Sequence, residues 1–323
     1  MRLPPTCPPG WRQGRGDTGM MAAEKTQHWR GELKYDEPMG GHVSWRTGGC
    51  ARRFYKPADV ADLCEFLAGL DKDEPLLWLG LGSNLLVREG GFPGTVIFIF
   101  GALTEMHWID EQTVQVGAGM SCAKVARITT QKGLTGAEFL AGIPGTMGGA
   151  LAMNAGAFDG ETWEQVVAVE TIDRAGVVHA RLPSEYRIAY RSVEGVSNIK
   201  DEWFLSATLA LTKGDAVAAQ RRIRGLLARR SESQPTQQYS CGSVFRNPPG
   251  DFAARLIEVT GLKGLSRGGA QVSEKHANFI INTGTATATD IETLINEVQD
   301  RVEQVHGIHL EKEVHIVGEQ PAA

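Results

Sequence analysis

Leu76-Leu77-Trp78-Leu79-Gly80-Leu81-Gly82-Ser83-Asn84-Leu85 passes from an apolar, strand-like tetrapeptide straight into a glycine turn. A second strand-like run, Asn84 to Arg88, follows at once. A G-x-G after a strand invites comparison with the dinucleotide-binding fingerprint, and the comparison fails. The third glycine is missing, no helix follows, and no acidic residue stands in a βαβ context about twenty positions on. A different use of glycine is open. Residues without a Cβ let backbone N–H groups approach an anion closely. Consecutive N–H groups in such turns form a concave nest for phosphate oxygens. Ser83 and Asn84 would add side-chain donors, and Leu85 starts the next strand. Taken alone, a plain tight turn between strands explains the motif as well.

A second glycine cluster decides more. Gly142-Ile143-Pro144-Gly145-Thr146-Met147-Gly148-Gly149 is followed by Asn154-Ala155-Gly156. Four glycines and a proline in eight residues are too irregular for an ordinary helix or strand, and special backbone paths on loops usually lie against a ligand. Two backbone nests on one domain suit a diphosphate; the alternative is a glycine-rich packing corner.

Outward from these clusters, a helix is expected from Pro57, with Val60, Leu63, Leu67 and Leu70 at helical spacing. Thr95 to Phe100 reads as a strand. Ser121 to Lys132 reads as a helix ended by Gly133. Strands alternate with turns from Val166 to Leu182, with a hairpin at Arg174-Ala175-Gly176. A strand from Trp203 to Thr212 leads to Lys213-Gly214, the best domain boundary. Beyond it come a basic helix, Asp215 to Arg230, and a short helix, Asp251 to Thr260, stopped by Gly261. A strand, Ala277 to Asn282, precedes a helix from Asp290 to His306. That helix carries a capping box at Thr287 and Asp290 and stops at Gly307. Ile308 to Val317 is read as a final strand.

Composition excludes several classes. With 42% hydrophobic and 22% charged residues, the 323-residue chain is an ordinary globular protein of two or three domains. Its net charge of −5 and the absence of a basic, aromatic-laced stripe give no reason to expect a nucleic-acid partner. No stretch approaches the ~20 apolar residues of a membrane span. Five widely spaced cysteines without a CxxC pair indicate neither a disulfide framework nor zinc, and fit a reducing cytoplasm. His306, His309 and His315 lack a completing carboxylate pair, so no metal is expected. Residues 1–25, rich in Pro, Gly and Arg, are read as disordered, with Met20 or Met21 as an alternative start.

These glycine motifs, taken with Thr47-Gly48-Gly49, resemble the FAD domain of the UDP-N-acetylenolpyruvoylglucosamine reductase family. Tyr190-Arg191-Ser192, Gly242-Ser243-Val244-Phe245-Arg246-Asn247-Pro248 and Leu310-Glu311-Lys312-Glu313-Val314 extend the resemblance, in order, from Met39 to Gly318. It implies an α+β fold: a two-subdomain FAD-binding module of the vanillyl-alcohol-oxidase type plus a C-terminal α+β substrate domain. The expected division is 26–101 and 102–213 for the FAD subdomains, 214–318 for the substrate domain and 319–323 for a tail. The short stretch between Arg191 and Trp203 marks the shorter type of the family, without the extra tyrosine-bearing segment.

The implied reaction is reduction of an enolpyruvyl ether of UDP-N-acetylglucosamine to UDP-N-acetylmuramate with FAD and NADPH. The enzyme is expected to act as a cytoplasmic monomer. Hydride added to the terminal carbon makes charge develop on the carboxylate, while the ether-bearing carbon must be protonated. Arg191, with its planar fork, suits the carboxylate. Glu313 helps if protonated or if it orients Arg191. Ser243 is the implied proton donor, with Gly242 before it allowing close approach; neighbouring Cys241 is a competing acid. Asn247, Arg246 and Lys275 are candidates for the substrate phosphates. Gly80, Leu81, Gly82, Ser83, Asn84, Leu85, Gly142, Ile143, Pro144, Gly145, Thr146, Gly148, Gly149, Asn154 and Gly156 are expected to hold FAD. The basic helix is read as a solvated face. The competing readings are a flavin oxidase of the same broad fold and a non-catalytic nucleotide-binding module.

Overall fold

A computed structural model describes residues 29–158, 160–196, 199 and 201–321, so the expectation for residues 1–25 lies outside the described residues. The first unit is a four-stranded sheet in the order β1-β2-β5-β3. Its elements are β1 (Glu32–Pro38), β2 (Cys50–Lys56), α1 (Val60–Ala68), β3 (Leu76–Leu79), β4 (Leu85–Val87) and β5 (Phe92–Phe98). Leu63, Phe66 and Leu67 form the buried stripe of α1, the i, i+3, i+4 pattern of an amphipathic helix. The helix starts later than Pro57 because the Asp59 side chain caps it, accepting from Asp62 N at 2.9 Å. The Phe66 ring stacks on Tyr55 at 3.6 Å between centroids.

The second unit is a five-stranded antiparallel sheet made of β6 (Met106–Trp108), β7 (Thr113–Gly117), β11, β12 and β15. Between β7 and β11 come α2 (Cys122–Gln131), β8 (Leu134–Thr135), α3 (Met147–Ala152) and the small hairpin of β9 (Gly156–Ala157) and β10 (Gly160–Glu161). Then follow β11 (Val166–Asp173), β12 (Val178–Arg181), the hairpin of β13 (Tyr186–Ala189) and β14 (Ser192–Gly195), β15 (Glu202–Ala210) and β16 (Thr212–Lys213). The turn between β11 and β12 is the expected one, with Gly176 at φ 80°. One expectation is corrected. Part of the second glycine cluster is helical, because Thr146 caps α3 through its hydroxyl. Gly148 lets that helix lie against Ala118, where a Cβ would stand 3.0 Å from the alanine methyl.

The C-terminal unit holds α4 (Ala216–Ser233), α5 (Ala253–Val259), a small sheet of β17 (Ser266–Arg267), β18 (Ala270–Val272) and β19 (Ile280–Asn282), then α6 (Ala288–His306) and β20 (His315–Val317). The Thr287–Asp290 capping box and a left-handed Gly307 bound α6 as expected. The expected strand from Ala277 shortens to Ile280–Asn282, because a turn bond from Phe279 N to His276 O occupies its start. The expected strand from Ile308 shortens to His315–Val317. Upstream, the backbone pairs with a loop instead of a sheet, through Arg246 N to Glu311 O (2.8 Å) and Glu313 N to Val244 O (2.8 Å).

The C-terminal unit is tied to the first at several points. β20 adds in parallel to β4, and Trp45 and Leu86 enter the C-terminal core. Trp45 Nε1 donates to Ile280 O at 2.7 Å, and Asn282 Nδ2 returns a bond to Trp45 O at 2.7 Å. Arg88 forks onto Glu292 at 2.8 and 2.9 Å. Cys64, Cys122 and Cys241 are free thiols, and no disulfide joins any two of these. No helix among the described residues is long and apolar enough to cross a membrane.

Candidate active site

The two glycine clusters meet. A Cβ on Gly80 would stand 2.4 Å from Thr146 Oγ1, so the turn after β3 touches the cap of α3. Gly82 sits at φ 62°, and a Cβ there would fall 2.2 Å from His42 O. Its carbonyl accepts from Ser44 N at 3.0 Å. Gly82 is thus required by the protein itself. Gly145 and Gly149 differ: an added Cβ would find nothing nearer than 3.6 Å and 3.8 Å, respectively. Packing does not demand glycine at either position; close approach by a ligand would. No acceptor among the described residues takes the N–H groups of Ser83, Asn84, Gly145 or Thr146. Ser83 Oγ lies 3.8 Å from where a Gly145 Cβ would be. Unclaimed donors beside open glycines fit the diphosphate of FAD.

Other residues of the glycine motifs have partners within the chain. The Asn84 amide donates to Glu313 O at 2.9 Å and to Met153 Sδ at 3.0 Å. Asn154, buried and at φ 40°, donates to Glu161 at 2.8 Å and accepts from Trp163 N at 3.2 Å. Leu85 and Ile143 are buried in the core. A Cβ on Gly142 would meet the Phe158 ring at 2.6 Å. Gly156 offers its carbonyl to Arg191 at 3.3 Å.

Arg191 stands in the two-residue turn between β13 and β14, with Ala189 paired to Ser192. Its φ of 55° is unusual for a residue with a Cβ. Arg191 Nε meets Glu313 Oε1 at 3.0 Å, although 122 residues separate them, and the two side chains are only 19% and 13% exposed. Of the five guanidinium N–H groups, Nε–H is taken by Glu313 and one on Nη2 by Gly156. Three remain for a ligand carboxylate. Burial pushes the Glu313 carboxyl above the ordinary glutamate value, against the opposing pull of Arg191 and Arg246. A proton is therefore easier to keep on Glu313 than on an exposed glutamate.

Ser243 itself makes no hydrogen bond to this pair among the described residues; its neighbour Val244 does, accepting from Glu313 N at 2.8 Å. Gly242 before Ser243 adopts φ 75° with open space around it. The half-buried Ser243 hydroxyl makes no hydrogen bond among the described residues. Cys241 is a poor rival. Its buried thiol, pushed up to about 12, points at the carbonyls of Gly82 and Leu85, each at 3.5 Å.

The phosphate candidates separate. Arg246 donates to Arg191 O at 3.3 Å. Asn247 accepts from Ala253 N at 3.1 Å, fixing the start of α5. Lys275 Nζ reaches Ser231 O at 2.5 Å, at the far end of α4. Neither Asn247 nor Lys275 bonds to the Arg191–Glu313 pair. Sequence reasoning missed Phe158, over which Arg229 stands at 5.2 Å, and Glu138, which pairs with Arg222. Both contacts cross from α4 to the second unit, and no local signal announced them.

Residues 234–317 match the model of the UDP-N-acetylenolpyruvoylglucosamine reductase C-terminal domain, and residues 51–181 match that of an FAD binding domain. The UDP-N-acetylenolpyruvoylglucosamine reductase of Alkalilimnicola ehrlichii is 58% identical over 300 residues, spanning 93% of this chain and 99% of that protein. The enzyme of the same name from Methylococcus capsulatus is 58% identical over 293 residues, 91% of this chain and 95% of its own. Among solved structures, UDP-N-acetylenolpyruvylglucosamine reductase from Thermus caldophilus is 32% identical with a TM-score of 0.75, covering 90% of this chain and 99% of that one.

Proposed function

Because the chain belongs to the UDP-N-acetylenolpyruvoylglucosamine reductase family, we infer that it reduces the enolpyruvyl ether of UDP-N-acetylglucosamine to UDP-N-acetylmuramate in peptidoglycan precursor synthesis. FAD is its cofactor and NADPH its reductant. The residue roles are our reading. Ser83, Asn84, Gly145 and Thr146 hold the FAD diphosphate with backbone N–H groups, and Gly145 and Gly149 leave it room. FAD bound there supplies the hydride.

The chain's own groups do the rest. Arg191 grips the substrate carboxylate with its remaining N–H groups and neutralises charge that grows there as hydride arrives at the terminal carbon. Protonated Glu313 orients Arg191 through Nε and adds a donor beside the same carboxylate. Ser243 delivers the proton to the ether-bearing carbon, whose basicity lets a weak acid serve when correctly placed. The substrate nucleotide lies toward the C-terminal unit, past Asn247 and Lys275. The divisions 26–101, 102–213 and 214–318 belong to this reading, supported by the four-, five- and three-stranded sheets, each of which falls within one division. So does action as a monomer in the cytoplasm: all three proposed catalytic groups come from one chain, and NADPH is a cytoplasmic reductant.

The observation that carries the assignment of roles is the 3.0 Å Arg191–Glu313 pair, fastened to the glycine turn through Asn84. The test is Ser243→Ala. The variant should bind FAD and accept electrons from NADPH, yet lose about 10²–10⁴-fold in turnover of the enolpyruvyl nucleotide. Undiminished turnover would remove Ser243 from its role.

A further inference from the structure

We propose that Arg246 is a positioning residue of this reaction, which holds Arg191 in its strained turn and stands as a second cation beside Glu313, rather than a grip on the nucleotide phosphates. The inference rests on the functional reading above and deepens it.

Arg191 must keep a left-handed backbone to present its side chain to Glu313, and a residue with a Cβ resists that conformation. Two contacts hold the turn from outside. Asn154 Nδ2 donates to Ala189 O at 3.4 Å, and Arg246 Nη2 donates to Arg191 O at 3.3 Å. The Arg246 contact is the one made to the strained residue itself.

Arg246 is rigidly mounted. Its neighbour Phe245 is buried and clamped by Asn278, which accepts from Phe245 N at 3.0 Å and donates to Phe245 O at 2.8 Å. Arg246 N bonds to Glu311 O, and Val244 O receives Glu313 N. One short platform, Val244 to Arg246, therefore fixes both the backbone of the acid and the cation that steadies its partner.

The guanidinium is committed through Nη2 alone, to Arg191 O. Its Nε is buried without a partner, and Nη1 stands 3.8 Å from Glu311. Charges facing Glu313 come from two elements, Arg191 in the β13–β14 turn and Arg246 on the platform. When a substrate carboxylate shares Arg191, Arg246 keeps positive charge beside Glu313.

The experiment compares Arg246→Met and Arg246→Lys with wild type. FAD affinity, UDP affinity, kcat, KM and the pH dependence of kcat are measured. For Arg246→Met, kcat should fall about 10- to 100-fold through misplacement of Arg191. FAD and UDP binding should stay within about two-fold of wild type. The alkaline limb of kcat should move to higher pH, because Glu313 loses a cation that favoured its charged form. Arg246→Lys should return the limb toward wild type and recover part of kcat. If Arg246→Met fails to fold, Arg246→Lys decides, with lowered kcat and unchanged UDP affinity expected. Weakened UDP binding with intact kcat in either variant makes Arg246 a phosphate grip and overturns the proposal, as does wild-type kcat. A wild-type chain that oxidises no NADPH when given the enolpyruvyl nucleotide instead sinks the functional reading, and this inference with it.

Discussion

Gly145→Ala separates a glycine that packing requires from one that a ligand requires. In the protein alone, the new methyl would meet Ile143 Cγ2 at 3.6 Å and Ser83 Oγ at 3.8 Å, both ordinary contacts. Gly145 is not among the residues with positive φ, so alanine fits its backbone. The apoprotein should gain about 0.4–1 kcal/mol, because alanine has fewer unfolded conformations to lose. FAD should respond in the opposite direction. The methyl occupies space assigned to the diphosphate, next to the N–H groups of Ser83 and Thr146. Loss of one charge-assisted bond costs about 1.5–3 kcal/mol. That is about 10- to 100-fold in dissociation constant, and two lost bonds multiply the effect. The assay is titration of apoprotein with FAD by flavin fluorescence, beside thermal unfolding without FAD. Gly82→Ala is the comparator. Its φ of 62° and the 2.2 Å approach to His42 O predict that it destabilises the apoprotein as well. Gly145→Ala with wild-type FAD affinity and an intact fold would show that the diphosphate lies elsewhere.

Glu313→Gln tests the buried acid. The folded protein holds Glu313 above its ordinary value, so its contribution is fully present below that value and is lost as pH rises through the folded-state pKa. The glutamine variant does not titrate, so its stability relative to wild type should climb across that window and then level off. A difference in Tm that stays flat as pH rises above the ordinary glutamate value would contradict the burial argument. Turnover by the same variant should drop about 10²–10⁴-fold, since the amide can accept from Arg191 but has no acidic proton. Asn282→Ala tests one buried amide, which makes one bond to the first unit and two within the turn after β19. It removes bonds to Trp45 O, Gly284 N and Ala286 N at 2.7, 2.8 and 2.9 Å. A loss of about 3 kcal/mol in urea unfolding is expected, and a loss under about 1 kcal/mol would show that this amide contributes little.

Features written locally were legible in the chain. Thr287 and Asp290 announced the start of α6, and Gly307 its end, because caps are satisfied within one turn. The stripe of α1 followed from period alone. The catalytic candidates were legible only through motif resemblance; nothing in the spacing of Arg191 and Glu313 predicts a 3.0 Å contact across 122 residues. Misreadings arose where distant partners decide. Ile308 to Val314 looks like strand, but its backbone bonds go to the Val244–Arg246 loop. The reach of the Asn84 amide to Glu313, 229 residues away, likewise has no local signal. Met147 to Ala152 reads as too glycine-rich for a helix, because the surface that wants Gly148, at Ala118, lies just past β7.

The placement of Glu313 shows why a site at a seam needs several independent anchors. Its carbonyl is held by the Asn84 amide at 2.9 Å, from the first unit. Two residues on, His315 N donates to Asn84 O at 3.1 Å, where β20 joins β4. Its own N–H is held by Val244 O, from the C-terminal unit, and its side chain by Arg191, from the second. Each unit alone leaves the carboxyl free to swing about the remaining contacts. Together they hold it from three directions. Because Asn84 belongs to the same turn whose N–H groups are proposed to hold FAD, one short stretch of backbone would set the position of both the cofactor and the acid. A distortion of that turn, such as Gly82→Ala would impose, therefore acts on both at once.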